Sequence, residues 1–268
     1  MLGAPPARVK RFSRSRKILR FLDAERRVHW SIAVPFLVCY VTAVVLVLFY
    51  NNNPLAPHRD VFSWTHRISG IFLAALPLLA LVRNWRDYKI HLYNIKQAWI
   101  WNFDDLKWVC LMSLAAISRR FSLPEQGKFN AAEKLNFMLV MVFLPLLIGT
   151  GFLIWLPGVE LKAWFVHVGI AIIYTPFLLG HIFMATINPD TRKGLEGMVS
   201  GFVDRHWAQH HYRRWYRENF EQNRRFGSVR RSFVRPFKRN PPPPVGDAIE
   251  DFRPVEDARR RVEHHKTR

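Results

Sequence analysis

Four stretches of this chain, 29–50, 64–82, 135–156 and 162–187, contain almost no charge. Each is close to the roughly 20 residues that carry an apolar helix across a bilayer. The 40 Lys and Arg residues lie almost wholly outside them and outnumber the 20 Asp and Glu, giving a formal charge of +20. A soluble globular domain does not segregate charge in this way. The pattern predicts an all-α integral membrane protein, a bundle of four transmembrane helices with a basic N-terminal segment (1–28) and a basic C-terminal extension. Two cysteines, Cys39 and Cys110, are too few for a disulfide scaffold or a thiolate-rich metal centre. The absence of Cys-x-x-Cys-His excludes covalent c-type haem attachment. Cys39, inside the first span, reads as a small packing residue.

Lys and Arg flanking a span favour the cytoplasmic side. Residues 1–28 hold nine basic and two acidic residues, 51–63 only Arg59 and Asp60, and 83–134 nine basic and five acidic. The link 157–161 carries only Glu160, and 188–268 holds nineteen basic and eleven acidic residues. This alternation predicts both termini in the cytoplasm. The run from His29 has no small-residue cleavage site and reads as an uncleaved span; a mitochondrial transit peptide is the competing reading of the Arg- and Ser-rich start. Between the second and third spans, 97–118 is apolar but contains Asp104, Asp105 and Lys107. Charges of this kind are costly at mid-bilayer, so the segment predicts a Trp-rich helix lying in the interface rather than a fifth span. The extension predicts a basic amphipathic stretch over 188–225 and a disordered Pro/Arg-rich tail over 226–268, around Pro241–Pro244.

Histidine is uncommon in spans and usually faces the bundle interior. Four of the eleven histidines lie in or at the edge of the spans: His29, His66, His167 and His181. Each alone reads most simply as an interhelical hydrogen-bonding residue. Together they sort by depth. His167 and His181 are fourteen residues apart, about 21 Å along a helix and within about 40° of one face. The topology puts His29 and His181 near the inner surface, and His66 and His167 near the outer one. Two imidazoles on facing helices are the axial pair of a bis-histidine haem, and two such haems form an electron route through the bilayer. Zinc would need three or four ligands at each site, and no carboxylate or thiolate stands at those depths. Gly70, Gly149, Gly151, Gly169 and Gly180 would admit a flat cofactor, or simply let helices approach. Arg67 is a candidate haem-propionate contact, and equally a side chain that snorkels to the surface. Pro176, between the two histidines of the fourth span, predicts a bend.

The order and spacing of several motifs resemble the gamma subunit of respiratory formate dehydrogenase, a di-haem cytochrome b family, over roughly residues 18–225. The motifs are RFLDAERRVHW with His29, WTHRISGIF with His66, KFNAAEKLNF, the His167/His181 pair, and GMVSGFV followed by WAQHHYRRWYRE. The resemblance implies that His29 with His181, and His66 with His167, ligate two haem b irons. It implies a quinone, menaquinone or ubiquinone, reduced beside the inner haem with Asn130 as its contact. An amide can donate to a carbonyl that gains charge, though Asn130 also reads as the N-cap of a helix starting at Ala131.

Further implications are an iron–sulfur partner subunit on the outer side, a separate catalytic dehydrogenase subunit, a higher oligomer of the complex, surrounding membrane lipid, and a bacterial inner membrane. The chain itself would be the electron-transferring, quinone-reducing subunit rather than the formate-oxidising one. It departs from the family where Ala132 and Glu133 replace the common Gly and Gln. The tail motif also lacks the usual Pro after its His pair, and His206, His210 and His211 read as surface or partner contacts.

The same machinery could serve another dehydrogenase, such as a membrane hydrogenase. A haem-free scaffold whose basic tail recruits partners or anionic lipids is a different class. The absence of Asp and Glu from the four spans argues against a proton-coupled transporter. No nucleic-acid partner is expected, because the positive-inside pattern accounts for the Arg-rich tail.

Overall fold

The computed structural model describes residues 16–48, 58–118 and 120–222. A short strand β1 (Lys17–Leu19) leads into α1 (Asp23–Leu48) and α2 (Arg59–Arg83). Two shorter helices follow, α3 (Tyr88–Trp99) and α4 (Phe103–Ile117), and then α5 (Ala131–Leu153) and α6 (Glu160–Ile182), which continues through a π-helical turn at Phe183–Ile187. Of these, α1, α2, α5 and α6 are long and apolar enough to cross a membrane. The expected four-span bundle is the observed one. Its large apolar side chains, Leu78, Val82, Phe165 and Ile172 among them, point outward, as lipid-facing residues do.

The helices reach beyond the uncharged stretches because their terminal charges are paired locally. α1 starts at Asp23 rather than His29: the Leu22 amide donates to the Glu25 carboxylate at 2.7 Å, Arg26 pairs with Asp23, and Arg26 also donates to the Val199 carbonyl at 2.7 Å. Asp23 and Glu25 in the first turn also suit the helix dipole. Between α2 and α5, the helix expected over 97–118 begins only at Phe103, as α4, and α3 precedes it. The chain breaks at Ile100–Asn102, and Asn102 restarts it as an N-cap: its side chain accepts from the Asp105 amide while Asp105 accepts from the Asn102 amide. Asp105 is fully buried against Lys134, whereas Asp104 and Lys107 stay exposed. At 15 residues, α4 is about 22 Å long, too short to span.

Each spanning helix contains one proline, Pro35, Pro77, Pro145 or Pro176, which membrane helices accommodate through neighbouring groups. α6 is continuous through Pro176.

The buried core lies at the end of the bundle that carries both ends of the described chain, called here the terminal end. There α7 (Leu195–Ser200) is followed by β2 (Phe202–Asp204), α8 (Arg205–His211) and α9 (Arg213–Tyr216). β2 pairs antiparallel with β1, Ile18 opposite Val203. These two side chains are buried with Trp207, Ala208, Tyr212, Trp215 and Tyr216. Within the basic extension, these elements form a small packed module clasping the N-terminal segment. Residues 223–268, including the expected disordered tail from 226, lie outside the described residues.

One glycine makes the clasp possible. Gly201 ends α7 at φ 89°, and its carbonyl accepts from the amides of Arg20 and Phe21 at 2.8 and 3.2 Å. A Cβ there would stand 2.8 Å from the Phe21 carbonyl oxygen. Gly201→Ala therefore combines left-handed strain with a backbone clash, at an expected cost of about 1–3 kcal/mol. Faster amide exchange across residues 17–21 and 202–204, with the spanning helices unaffected, is the measurement that checks it.

Candidate functional site

Two tight helix pairs, α1 with α2 and α5 with α6, make up the bundle, while α6 makes only sparse backbone contact with α1 and α2. The four histidines face each other across that looser seam. Toward the far end, His66 on α2 meets His167 on α6 with ring centroids 6.1 Å apart and planes at 78°. Toward the terminal end, His29 on α1 meets His181 on α6 at 6.5 Å and 55°. The sequence-based pairing by depth is the pairing observed. Fourteen residues separate the two rings on α6, about 21 Å of helix. The α1 side agrees, because Thr42, which contacts His66, is thirteen residues beyond His29, about 20 Å.

The far-end rings are fixed by the tight helix pairs. His66 Nδ1 lies 3.0 Å from the Cys39 carbonyl oxygen and 3.1 Å from Thr42 Oγ1. A carbonyl only accepts, so the ring proton sits on Nδ1 and Nε2 keeps its lone pair. His167 Nδ1 lies 3.0 Å from Thr150 Oγ1, whose own proton goes to the Leu146 carbonyl at 2.6 Å. The same assignment follows: Nδ1 donates and Nε2 is free to ligate. Cys39 therefore contributes its carbonyl to the site besides filling space. At the terminal end, His29 packs edge-on against Trp30 at 5.2 Å, and its Nδ1 is buried without a hydrogen-bond partner among the described residues.

Between the two imidazole layers stands Tyr174, seven residues from each α6 histidine and so on the same helix face. Its ring meets Phe36 and Phe143 edge-on at 5.7 and 6.1 Å, and its hydroxyl donates to Asn136 at 3.0 Å. Gly70, one turn from His66, has open space where a Cβ would project. Gly169 and Gly180 do not share their neighbouring histidines' faces, being about 200° and 100° away around α6. Arg67 lies over the Trp64 ring at 5.3 Å. His206, His210 and His211 sit in α8 in the terminal module, away from the four paired rings.

Asn130 is the N-cap of α5: its side-chain oxygen accepts from the Glu133 amide, and Glu133 accepts from the Asn130 amide, both at 2.9 Å. The capping expectation holds, and the amide NH₂ is left for another acceptor. Tyr212 donates to the Glu133 carboxylate at 2.6 Å and Arg20 stands 3.6 Å from it, so this turn lies at the terminal end.

Two buried ion pairs bolt the turn in place. Lys128 meets Glu25 of α1 at 2.6 Å with both side chains at most 5% exposed, and Asn94 of α3 donates to the same carboxylate at 2.6 Å. Lys134 meets Asp105 of α4 at 2.8 Å. Burial pushes the Lys128 ammonium below its usual range, while Glu25 pulls it back up. Thr42, Thr150, Tyr174, Glu25 and Lys128 were not singled out from sequence; only Tyr174 had a signal there, its heptad spacing from both histidines.

A family model described as prokaryotic cytochrome b561 matches residues 20–201. The chain belongs to that family. Among its relatives, the nitrate-inducible formate dehydrogenase cytochrome b556(Fdn) subunit of Escherichia coli (strain K12) is 24% identical over 214 residues, covering 77% of this chain and 93% of the relative. The formate dehydrogenase cytochrome b556(fdo) subunit of the same strain is 28% identical over 212 residues, covering 75% and 92%. A formate dehydrogenase cytochrome b556 subunit of Haemophilus influenzae is 24% identical over 217 residues, covering 77% and 85%. The resemblance drawn from sequence motifs is thus supported along most of the chain.

Membership in a cytochrome b family brings haem b, and the seam of this cytochrome fits one. With metal–imidazole bonds of about 2 Å, an iron between two rings puts their centroids about 6 Å apart. The observed 6.1 and 6.5 Å match that span, across helices that do not otherwise close on each other.

Removing one partner of a buried ion pair strands the other charge, at a typical cost of about 3–5 kcal/mol. Lys128→Met is expected to lower stability on that scale and Lys128→Met with Glu25→Gln to recover much of it. Thermal melts of the purified variants in detergent test this.

Proposed function

We propose that this cytochrome carries two haem b groups across the bacterial inner membrane and passes electrons from a partner subunit to a quinone. The observation that carries the proposal is the pair of imidazole couples, each near one haem's span and about 21 Å apart in depth. His66 and His167 hold the far-end iron, His29 and His181 the terminal-end iron. Haem b bound there supplies one-electron iron couples at the two depths.

The residues around the rings do the protein's part. The Cys39 carbonyl and the Thr42 and Thr150 hydroxyls accept from the ring Nδ1–H groups, which would orient Nε2 toward the metal and raise its basicity. Arg67, beside His66 and over the Trp64 ring, would supply a cation for a haem propionate. Asn130 offers its NH₂ to a quinone carbonyl at the terminal end, while its oxygen remains committed to the helix cap. Tyr174, Phe36 and Phe143 fill the space between the layers with aromatic rings and keep water out.

The distribution of Lys and Arg supports a cytoplasmic terminal end, so electrons enter from the opposite face and quinone takes its protons from the cytoplasm. Relatives named as formate dehydrogenase subunits support an iron–sulfur subunit as donor and formate as the substrate of a separate catalytic subunit.

A pyridine haemochrome assay on the purified chain is expected to give two haems b per polypeptide. His167→Ala and His181→Ala should each lose one, and quinone reduction with it; retention of both haems in either variant would refute the ligand assignment.

Thr150→Val is a milder test. It removes the hydroxyl that holds the His167 Nδ1 proton and should weaken retention of the far-end haem about 10-fold. Haem transfer to an acceptor apoprotein measures this, the His29/His181 haem serving as internal control.

A further inference from the structure

We infer that the C-terminal module is a working part of the quinone-reducing site, with Tyr212 and Arg20 as positioning residues that fix Asn130 through Glu133. The inference rests on the reading of Asn130 as the quinone contact.

The module lies along the chain leading to Asn130. The amides of Arg214 and Trp215 donate to the Gln126 carbonyl at 3.1 and 3.3 Å, and Arg213 and Arg217 both pair with Glu125. Two residues before Asn130, the Lys128 carbonyl accepts from Arg20 at 3.1 Å. Arg20 is 2% exposed. Its guanidinium lies 3.4 Å from the centre of the Tyr212 ring and 3.6 Å from the Glu133 carboxylate. Tyr212 hydroxyl donates to that carboxylate at 2.6 Å. Burial pushes the Tyr212 phenol above its usual range, which keeps the proton on the donor.

Glu133 thus accepts through one oxygen from Tyr212 and through the other from the Asn130 amide. Its position decides the geometry of the cap and hence where the Asn130 NH₂ points. It also poses an electrostatic problem. A quinone gains negative charge on reduction, and a carboxylate three residues from its hydrogen-bond donor opposes that gain. Arg20 and the Tyr212 hydroxyl offset the carboxylate's charge where it is held. A chain with Glu at this position therefore needs the module seated to present Asn130 in a form that favours quinone reduction. Neither contact is made by a residue of the spanning helices: Arg20 precedes α1 and Tyr212 follows α8.

The test uses the full-length, haem-loaded chain in nanodiscs, chemically reduced and mixed with menadione or decylubiquinone, following haem oxidation against quinone concentration. Tyr212→Phe keeps the ring under Arg20 and deletes only the hydroxyl. It should raise the half-saturating quinone concentration about 3- to 10-fold, with a smaller change in limiting rate, an unaltered haem spectrum, and faster amide exchange in the peptide spanning 126–134. Glu133→Gln keeps the shape and an acceptor for the cap but removes the opposing charge, so it should lower the half-saturating concentration instead, and it serves if Tyr212→Phe does not assemble. Half-saturation unmoved in these variants while Asn130→Ala raises it would overturn the module's role and leave the quinone site standing. No effect of Asn130→Ala would overturn the quinone reading itself, and this inference with it.

Discussion

The structure depends on a gap being held open between two closed helix pairs. In a bilayer, helices associate through close backbone approach and short hydrogen bonds, because apolar surface alone gains little by leaving lipid. α1 with α2 and α5 with α6 meet in that way, and the hydrogen bonds reaching the far-end imidazoles lie within these pairs, Cys39 and Thr42 to His66, Thr150 to His167. The seam between the pairs is different. There the facing groups are imidazoles, the far-end two with their second nitrogens engaged behind them, at separations that a metal ion spans and a direct ring contact does not require.

Something must keep the two pairs in register across such a seam, and at the terminal end buried charge does so. Glu25–Lys128 ties α1 to the chain before α5, Asn94 adds α3 to the same carboxylate, and Asp105–Lys134 ties α4 to α5. Buried pairs contribute little net stability compared with apolar substitutes, but their geometry is demanding. That suits a turn in which Lys128, Asn130, Glu133 and Lys134 all have assigned partners within seven residues. Tyr174 and Asn136 join α6 to α5 midway between the layers.

Much of this was legible in the sequence, for reasons that separate it from what was not. The four spans announce themselves by segregation of charge, and the four histidines by their rarity in such spans. Their pairing follows from helix rise together with the alternating direction of the spans, and Asn130 is a recognisable N-cap. Hydropathy averages over Asn102 and shows one apolar run over 97–118, whereas the capping box there is a local device that splits it. The β1–β2 clasp had no readable signal: two three-residue strands nearly the whole described chain apart carry no periodicity. Glu25 and Lys128 likewise pair across 103 residues, and in sequence each is one charge among many. Thr42 and Thr150 read as ordinary small residues in spans; only the backbone geometry shows that their hydroxyls face imidazoles.

The two layers are consequently built by different parts of the chain. At the far end, each ring is oriented by the helix adjacent in sequence, α1 for His66 and α5 for His167, so that layer needs only the two hairpins. At the terminal end, His29 leans on Trp30, whose indole donates to the Met198 carbonyl at 2.9 Å, and Arg26 one turn earlier reaches Val199. The Asn130 turn is held by Arg20 and Tyr212. Segments from both ends of the described chain must therefore dock before this layer is complete. Local hairpins close early and distant contacts bear the larger loop-closure cost. The far-end layer should accordingly be the more independent of the two, and the terminal-end layer the one whose chemistry answers to the seating of the packed module at Leu195–Tyr216.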